Sequence, residues 1–189
     1  MKVLVSYNEK PTHILGKRLR EEILSRLKEQ EYPIQTFGAN IEESKNCLGC
    51  FGCWVKTPGT CVIKDKQTEF SKAYISNDTV ILITQIKYGT YEPVIKNMLD
   101  RNIPNVLPFF ETVKGETHHQ PRYKKYPEFI VVGYGEDLSQ EEVETFKGII
   151  NANSINMKKS KGYTFICESE EKVEEIVSAL IELCKGLEV

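Results

Sequence analysis

The stretch Thr79-Val-Ile-Leu-Ile-Thr-Gln-Ile-Lys-Tyr-Gly-Thr-Tyr-Glu-Pro-Val-Ile-Lys-Asn-Met-Leu-Asp-Arg101 decides the fold. Its first six residues, Thr79 to Thr84, are the most strand-like run in the chain. They are apolar and β-branched with no polar alternation, as a strand buried on both faces requires. A turn containing Gly89 follows. Pro93 then takes the first position of a helix, where its missing N–H would be unpaired anyway, and Val94, Ile95, Met98 and Leu99 fall on one face.

The same alternation extends in both directions. Val3-Leu4-Val5 is a first strand, followed by a helical stripe at Leu15, Leu19, Ile23 and Leu27. Ile34 to Phe37 is a second strand and Thr68 to Asn77 a helix. Beyond Arg101, Phe129 to Gly133 is the fourth strand, and Ser139 with Glu142 forms a capping box opening a helix to about Asn153. Tyr163 to Cys167 is the last strand. The closing helix carries Val173, Ile176, Val177, Leu180, Ile181 and Cys184 at 3.6-residue spacing. Five strands with intervening helices predict a five-stranded parallel sheet with helices on both faces, a three-layer α/β sandwich. Between Asn102 and Tyr126 no periodicity is visible, and Pro104, Pro108 and Pro121 mark an irregular segment.

The length of 189 residues fits a single domain over 1-189 with a well-buried core. The balance of 25 Lys+Arg against 27 Asp+Glu excludes a basic nucleic-acid-binding surface as the default reading. No apolar run approaches the ~20 residues that span a bilayer. The amino-terminal segment turns polar too soon for a signal peptide, so a cytoplasmic address is expected. Four of the six cysteines crowd into fifteen residues, which in a reducing compartment points to metal, redox chemistry or tight packing rather than a disulfide framework. Cys167 in a strand and Cys184 on an apolar stripe read as core residues, as does Met98, and Lys158 to Lys161 as a solvated loop.

In open α/β sheets ligands bind beyond the carboxyl ends of the strands, so the segments after Val5, Thr84 and Gly133 should form the site. Along 84–91, backbone N–H groups and Thr84 can bond the edge of a flat heterocycle while Tyr88 or Tyr91 covers its face. The alternative is a plain strand-to-helix connection, with Asp100 and Arg101 as surface charges. The first loop, Ser6 to Gly16, runs hydroxyl-bearing residues into a helix N-terminus, a ready anion site.

These segments resemble the NADPH-dependent FMN reductase and flavodoxin-like oxidoreductase families. Their second flavin loop reads Thr-Pro-x-Tyr/Phe-x-Gly, then Lys, then Asp-Arg; Thr84, Gly89, Lys96, Asp100 and Arg101 fall in register, with Gln85 in place of the proline. In the first loop Ser6, Thr12 and Leu15 match; the family's Gly and Arg are absent, Glu9 adds a negative charge, and Lys10 or His13 could compensate. The resemblance implies a flavodoxin-like fold with strand order 2-1-3-4-5, a homodimer, and bound FMN held by Ser6, Thr12, His13, Thr84, Gln85, Ile86, Lys87, Tyr88 and Gly89. FMN would pass electrons from NAD(P)H to a flavin, quinone or aromatic acceptor, with no side chain needed as acid or base. Two alternatives remain: an electron-transfer flavoprotein shuttling single electrons between proteins, and a flavodoxin-like module that has lost flavin.

Cys47, Cys50, Cys53 and Cys61 stand as Cys-x-x-Cys-x-x-Cys-x7-Cys, with Gly49, Gly52 and Gly59 allowing the loop to wrap. Four thiolates suit a [4Fe-4S] cluster or tetrahedral zinc, and the iron–sulfur flavoproteins are similar here. Packed reduced thiols and a redox disulfide are the alternatives. Gly115 to Pro127, with His118, His119, Arg122 and Tyr123, resembles uncharacterised members of the same group; it could bind a substrate anion or pyridine nucleotide, or form a subunit contact.

Overall fold

The computed structural model describes residues 1–187. In chain order the elements are β1 (Val3–Asn8), α1 (Ile14–Glu29), β2 (Ile34–Ala39), α2 (Gly52–Val55), α3 (Lys66–Ser76), β3 (Thr79–Lys87), β4 (Thr90–Tyr91), α4 (Pro93–Asp100), β5 (Val106–Val113), β6 (Glu116–Pro121), β7 (Glu128–Tyr134), α5 (Gln140–Asn156), β8 (Tyr163–Cys167) and α6 (Val173–Gly186). Five parallel strands lie in the order β2-β1-β3-β7-β8, which is the 2-1-3-4-5 order expected from sequence. The pleat divides the core. Val3, Val5, Ile81, Ile83, Ile130 and Val132 pack with α1 and α6, while Leu4, Val80, Leu82, Phe129 and Val131 face α3, α4 and α5. Cys167, Cys184 and Met98 are fully buried within these two cores, and Ser139 with Glu142 forms the expected capping box.

Three expectations are corrected. First, the strands outrun their apolar runs: β1 continues through Ser6, Tyr7 and Asn8, and β3 through Gln85, Ile86 and Lys87. Ladder partners, such as Tyr7 opposite Gly38 and Gln85 opposite Tyr134, hold these polar residues in register. Second, β3 folds back on itself through β4. Tyr88 (φ 51°) and Gly89 (φ 71°) form the two-residue turn between Lys87 and Thr90, both in the left-handed region that a type I′ turn demands. A Cβ on Gly89 would also lie 2.9 Å from Thr145 of α5, so glycine is required there twice over.

Third, the segment from Asn102 to Tyr126 is mostly a β-hairpin. β5 and β6 pair antiparallel around a Lys114–Gly115 turn whose φ angles are again both positive. Pro104 lies before β5 and Pro121 ends β6, while Pro108 falls inside β5 at the register irregularity between Val106 and Phe110. Lys158, expected in a solvated loop, instead anchors this hairpin: its Nζ reaches Glu111 at 2.9 Å and also bonds the His119 carbonyl.

Candidate functional site

The carboxyl ends of β1, β3 and β7 converge on one buried carboxylate, Glu92, which precedes Pro93 and is 6 % exposed. Its Oε2 accepts from Asn8 Nδ2 at 2.6 Å, where β1 ends, and its Oε1 accepts from the Gln85 backbone N–H at 3.1 Å, in β3. Its own N–H donates to Thr84 Oγ1 at 3.1 Å. Burial pushes the Glu92 carboxyl above the usual carboxylate range; the Gln85 and Asn8 donors and the Lys87 charge oppose that only in part. Tyr134, at the end of β7, is 2 % exposed, and its phenol is raised by burial and by the nearby Glu92 charge. Its hydroxyl end lies where a Cβ on Gly16 would sit, so the first turn of α1 can pack against β7 only because residue 16 lacks a side chain.

The residues expected to hold a phosphate separate. Ser6 lies inside β1, fully buried, and its hydroxyl donates to the Phe37 carbonyl at 3.1 Å, so it is part of the sheet and not of the loop. His13 caps α1, its Nδ1 accepting from the Leu15 N–H at 3.2 Å, while its Nε2 lies 3.6 Å from Glu136. Lys10 pairs with Glu42 at 2.6 Å, and Glu9 is held by Lys66 at 3.1 Å. Thr12 is exposed, and α1 has no acidic residue in its first turn. What remains for an anion is therefore the helix N-terminus and the Thr12 hydroxyl, Lys10 being paired with Glu42.

The ring-edge residues come together at the other side of the Glu92 bridge. Thr84 is buried, its hydroxyl donating to the Gln85 carbonyl at 3.1 Å; Ile86 is buried against Tyr91 across the β3–β4 pair. Lys87 is exposed, and Tyr88, at the tip of the turn with Gly89, is 94 % exposed. A planar aromatic ring could stack on Tyr88 with Gln85, Ile86 and Lys87 along its edge. The donor chemistry suits a flavin mononucleotide through the α1 N-terminus and Thr12 at the phosphate end and residues 85–88 at the ring end, where the Gln85 N–H already belongs to Glu92.

The four clustered cysteines line a single small cavity together with Arg101 and Ile103. Phe51 enters the left-handed region (φ 52°) to start the one-turn helix α2, which buries Cys53 and leaves Cys47 and Cys50 exposed. Burial pushes the Cys53 thiol up. Arg101, a surface charge in the plain-connection alternative, is 3 % exposed. Its guanidinium pairs with Asp65, donates to the Lys45 carbonyl at 2.8 Å and the Ile63 carbonyl at 3.1 Å, and reaches Cys61 Sγ at 3.2 Å. Burial by itself would raise the Asp65 carboxyl, but Arg101 with the Lys45 and Gln67 N–H groups outweighs it and holds the group below the usual carboxylate range. Donor identity suits a cluster, but the arrangement does not. Cys61 is already bonded, the cavity of about 30 Å³ is the size of a water or two, and among the described residues no three His, Cys, Asp or Glu side chains are grouped to hold a metal ion.

His118 and His119 point to opposite faces of β6. His118 bonds Asn156 at 3.0 Å and Glu116 at 3.1 Å, while the His119 ring lies 4.8 Å from both Trp54 and Phe110. Trp54 in turn stacks on Phe51 at 5.1 Å and donates Nε1–H to the Val106 carbonyl at 2.9 Å. Arg122 bonds the Pro104 carbonyl at 2.8 Å. The His118–Arg122 segment therefore ties the hairpin to the cysteine loop and to the body of the protein. Neither Glu92 nor this aromatic ladder is legible in sequence, because both are made by residues far apart in the chain.

Fold and site together define a flavodoxin-like α/β protein. The sequence matches no family description and no curated protein. Among solved structures it is similar to the azoreductase AzrA at 15 % identity, covering 99 % of both chains with a TM-score of 0.67. It is similar to the NAD(P)H:quinone oxidoreductase from Methanothermobacter marburgensis at 10 % identity, covering 100 % of this chain and 96 % of that one with a TM-score of 0.67. A third likeness is to oxidised Flavodoxin 2 from Bacillus cereus, at 13 % identity and a TM-score of 0.55, covering 98 % of this chain and 99 % of that one.

Proposed function

We propose that the protein is an FMN-binding oxidoreductase that passes electrons from NAD(P)H through FMN to a flavin, quinone or aromatic acceptor. The observation that carries this reading is the meeting of two loops at the carboxyl ends of β1 and β3: an α1 N-terminus free of acidic residues, and a β3–β4 turn presenting Tyr88. Phosphate would sit on the first-turn N–H groups and Thr12, and the ring against Tyr88 and the edge of 85–87. Bound FMN supplies hydride acceptance and electron release. The chain's own part is to bind, orient and shield the ring. The names of two similar folds, an azoreductase and an NAD(P)H:quinone oxidoreductase, agree with it.

The protein is read as a homodimer of one-domain subunits working in the cytoplasm, without nucleic-acid or membrane partners. Among the described residues no helix is long and apolar enough to cross a membrane. NADH or NADPH oxidation by the FMN-loaded protein with a quinone or azo dye is the test; FMN binding with no pyridine-nucleotide oxidation by any acceptor would refute the enzyme reading.

A second reading, an electron-transfer flavoprotein carrying a [4Fe-4S] cluster, is favoured by one observation: Cys47, Cys50, Cys53 and Cys61 line the same cavity. It would require Cys61 to leave Arg101 and the loop to open. Iron and acid-labile sulfide in protein purified without oxygen should therefore be absent; about four of each per chain would establish the cluster.

A further inference from the structure

We infer that Glu92 is a positioning residue that latches the Gln85 backbone N–H, and that taking up one proton on Glu92 releases this N–H to the edge of a bound flavin ring. The inference rests on the flavin reading above and adds to it a proton-linked control at the same site.

The case starts from donor and acceptor counting. An ionised carboxylate only accepts hydrogen bonds, and both Glu92 oxygens do so: Oε2 from Asn8 Nδ2 at 2.6 Å and Oε1 from Gln85 N at 3.1 Å. A protonated carboxyl is neutral and a poorer acceptor, and it carries an O–H on one oxygen. One of the two N–H groups then faces that O–H, and its bond is weakened enough for a better acceptor to take it. Asn8 cannot easily turn its amide to suit. Its Oδ1 already accepts from the Lys10 N–H at 3.0 Å, which fixes the Nδ2 toward Glu92. Asn8 also makes the shorter of the two bonds. The proton therefore settles on Oε1, and the Gln85 N–H is the group set free.

The surroundings raise the pH at which Glu92 takes up this proton above that of an ordinary carboxylate. Glu92 is 6 % exposed, and burial disfavours its charged form. The groups facing it are Lys87 from β3, whose charge works against protonation, Tyr134 from β7, and the neutral amide of Asn8 from β1; the His13 ring stands behind Tyr134, with centroids 6.0 Å apart. A flavin edge offers ring nitrogen and carbonyl acceptors, so a freed N–H would gain a partner on binding. Flavin binding and protonation of Glu92 then favour each other, because linkage is reciprocal.

The test measures riboflavin and FMN affinity by fluorescence quenching between about pH 5 and pH 8, for the wild type and Glu92→Gln. Riboflavin is the decisive probe, because the FMN phosphate itself titrates near about pH 6. For the wild type, riboflavin affinity should rise about tenfold toward the acid end, the limit being tenfold per pH unit for a single linked proton. Glutamine presents one acceptor and one donor, like the protonated acid, so Glu92→Gln should bind at the acid-limit affinity throughout. A wild-type affinity independent of pH, or an unchanged slope in Glu92→Gln, overturns the inference. If neither flavin binds at any pH, the flavin reading fails; the latch is then judged by the Gln85 amide resonance of the free protein. That resonance should shift on acidification in the wild type and stay fixed in Glu92→Gln. An amide that does not move in the wild type overturns the latch independently of any flavin.

Discussion

Arg101 shows how much one residue can hold. Its guanidinium is fixed by Asp65 and by the carbonyls of Lys45 and Ile63, and the Cys61 sulfur completes its surroundings. Removing one partner of a buried ion pair leaves an uncompensated charge, so Arg101→Met should cost about 3–5 kcal/mol in urea denaturation. A loss below about 1 kcal/mol would show that the pair is peripheral to stability. Glu92 behaves in the opposite sense. Its folded carboxyl is raised above the ordinary value, so its contribution to stability is fully present below that ordinary value and is lost as pH rises through the folded one. Glu92→Gln removes this titration. Its stability relative to the wild type should therefore rise with pH above the normal carboxylate range, whatever constant offset the amide introduces. A difference that falls over the same range, measured by melting temperature against pH, would contradict the assignment.

At the level of elements, the β5–β6 hairpin depends on its turn and on one lysine. Gly115 holds a φ of 85°, and Lys158 joins the hairpin to the end of α5 through Glu111 and the His119 carbonyl. Gly115→Val should cost at least about 1 kcal/mol, since a β-branched residue is a true outlier at that φ. Lys158→Met should raise amide hydrogen exchange in 106–121 while leaving β1, β3 and β7 protected. Equal loss of protection across the sheet would mean that the hairpin is not a separable unit. The sheet itself was legible because Thr79–Thr84 and Phe129–Gly133 are continuous apolar runs, which only a doubly covered parallel strand needs. The strand ends were not. Ser6, Asn8 and Gln85 are polar, and their place is set by ladder partners on other strands. The hairpin is hidden in the sequence for a related reason: a Lys-Gly turn and nearby prolines mask a pairing that is visible only once β5 and β6 lie side by side. Of the site, the turn at Gly89 and the start of α4 at Pro93 could be read locally, whereas Glu92 acquires its meaning from Asn8, 84 positions earlier.

At the scale of the whole molecule, the two faces of the sheet carry different tasks. α1 and α6 complete a core around Val5, Ile83 and Val132, and α1 brings its N-terminus to the carboxyl edge of the sheet. On the other face α4 and α5 pack under the β3–β4 turn, while the cysteine loop and the hairpin lock together through Phe51, Trp54, His119 and Phe110. In the proposed function the first layer would position a phosphate and the second a ring edge, a division of labour expected where a parallel sheet binds at its carboxyl edge. The cysteine loop is fastened from below by Arg101 and from the side by Trp54, so its thiols form a built element of the fold even without a metal. The measurement that tests the central claim most directly is the visible spectrum of the protein titrated with FMN without oxygen, followed by NADH or NADPH. The expected result is a saturable shift of the two flavin bands at one FMN per chain, bleached on adding the pyridine nucleotide. A spectrum identical to that of free FMN at every protein concentration would contradict it, and would leave a flavodoxin-like fold without its cofactor.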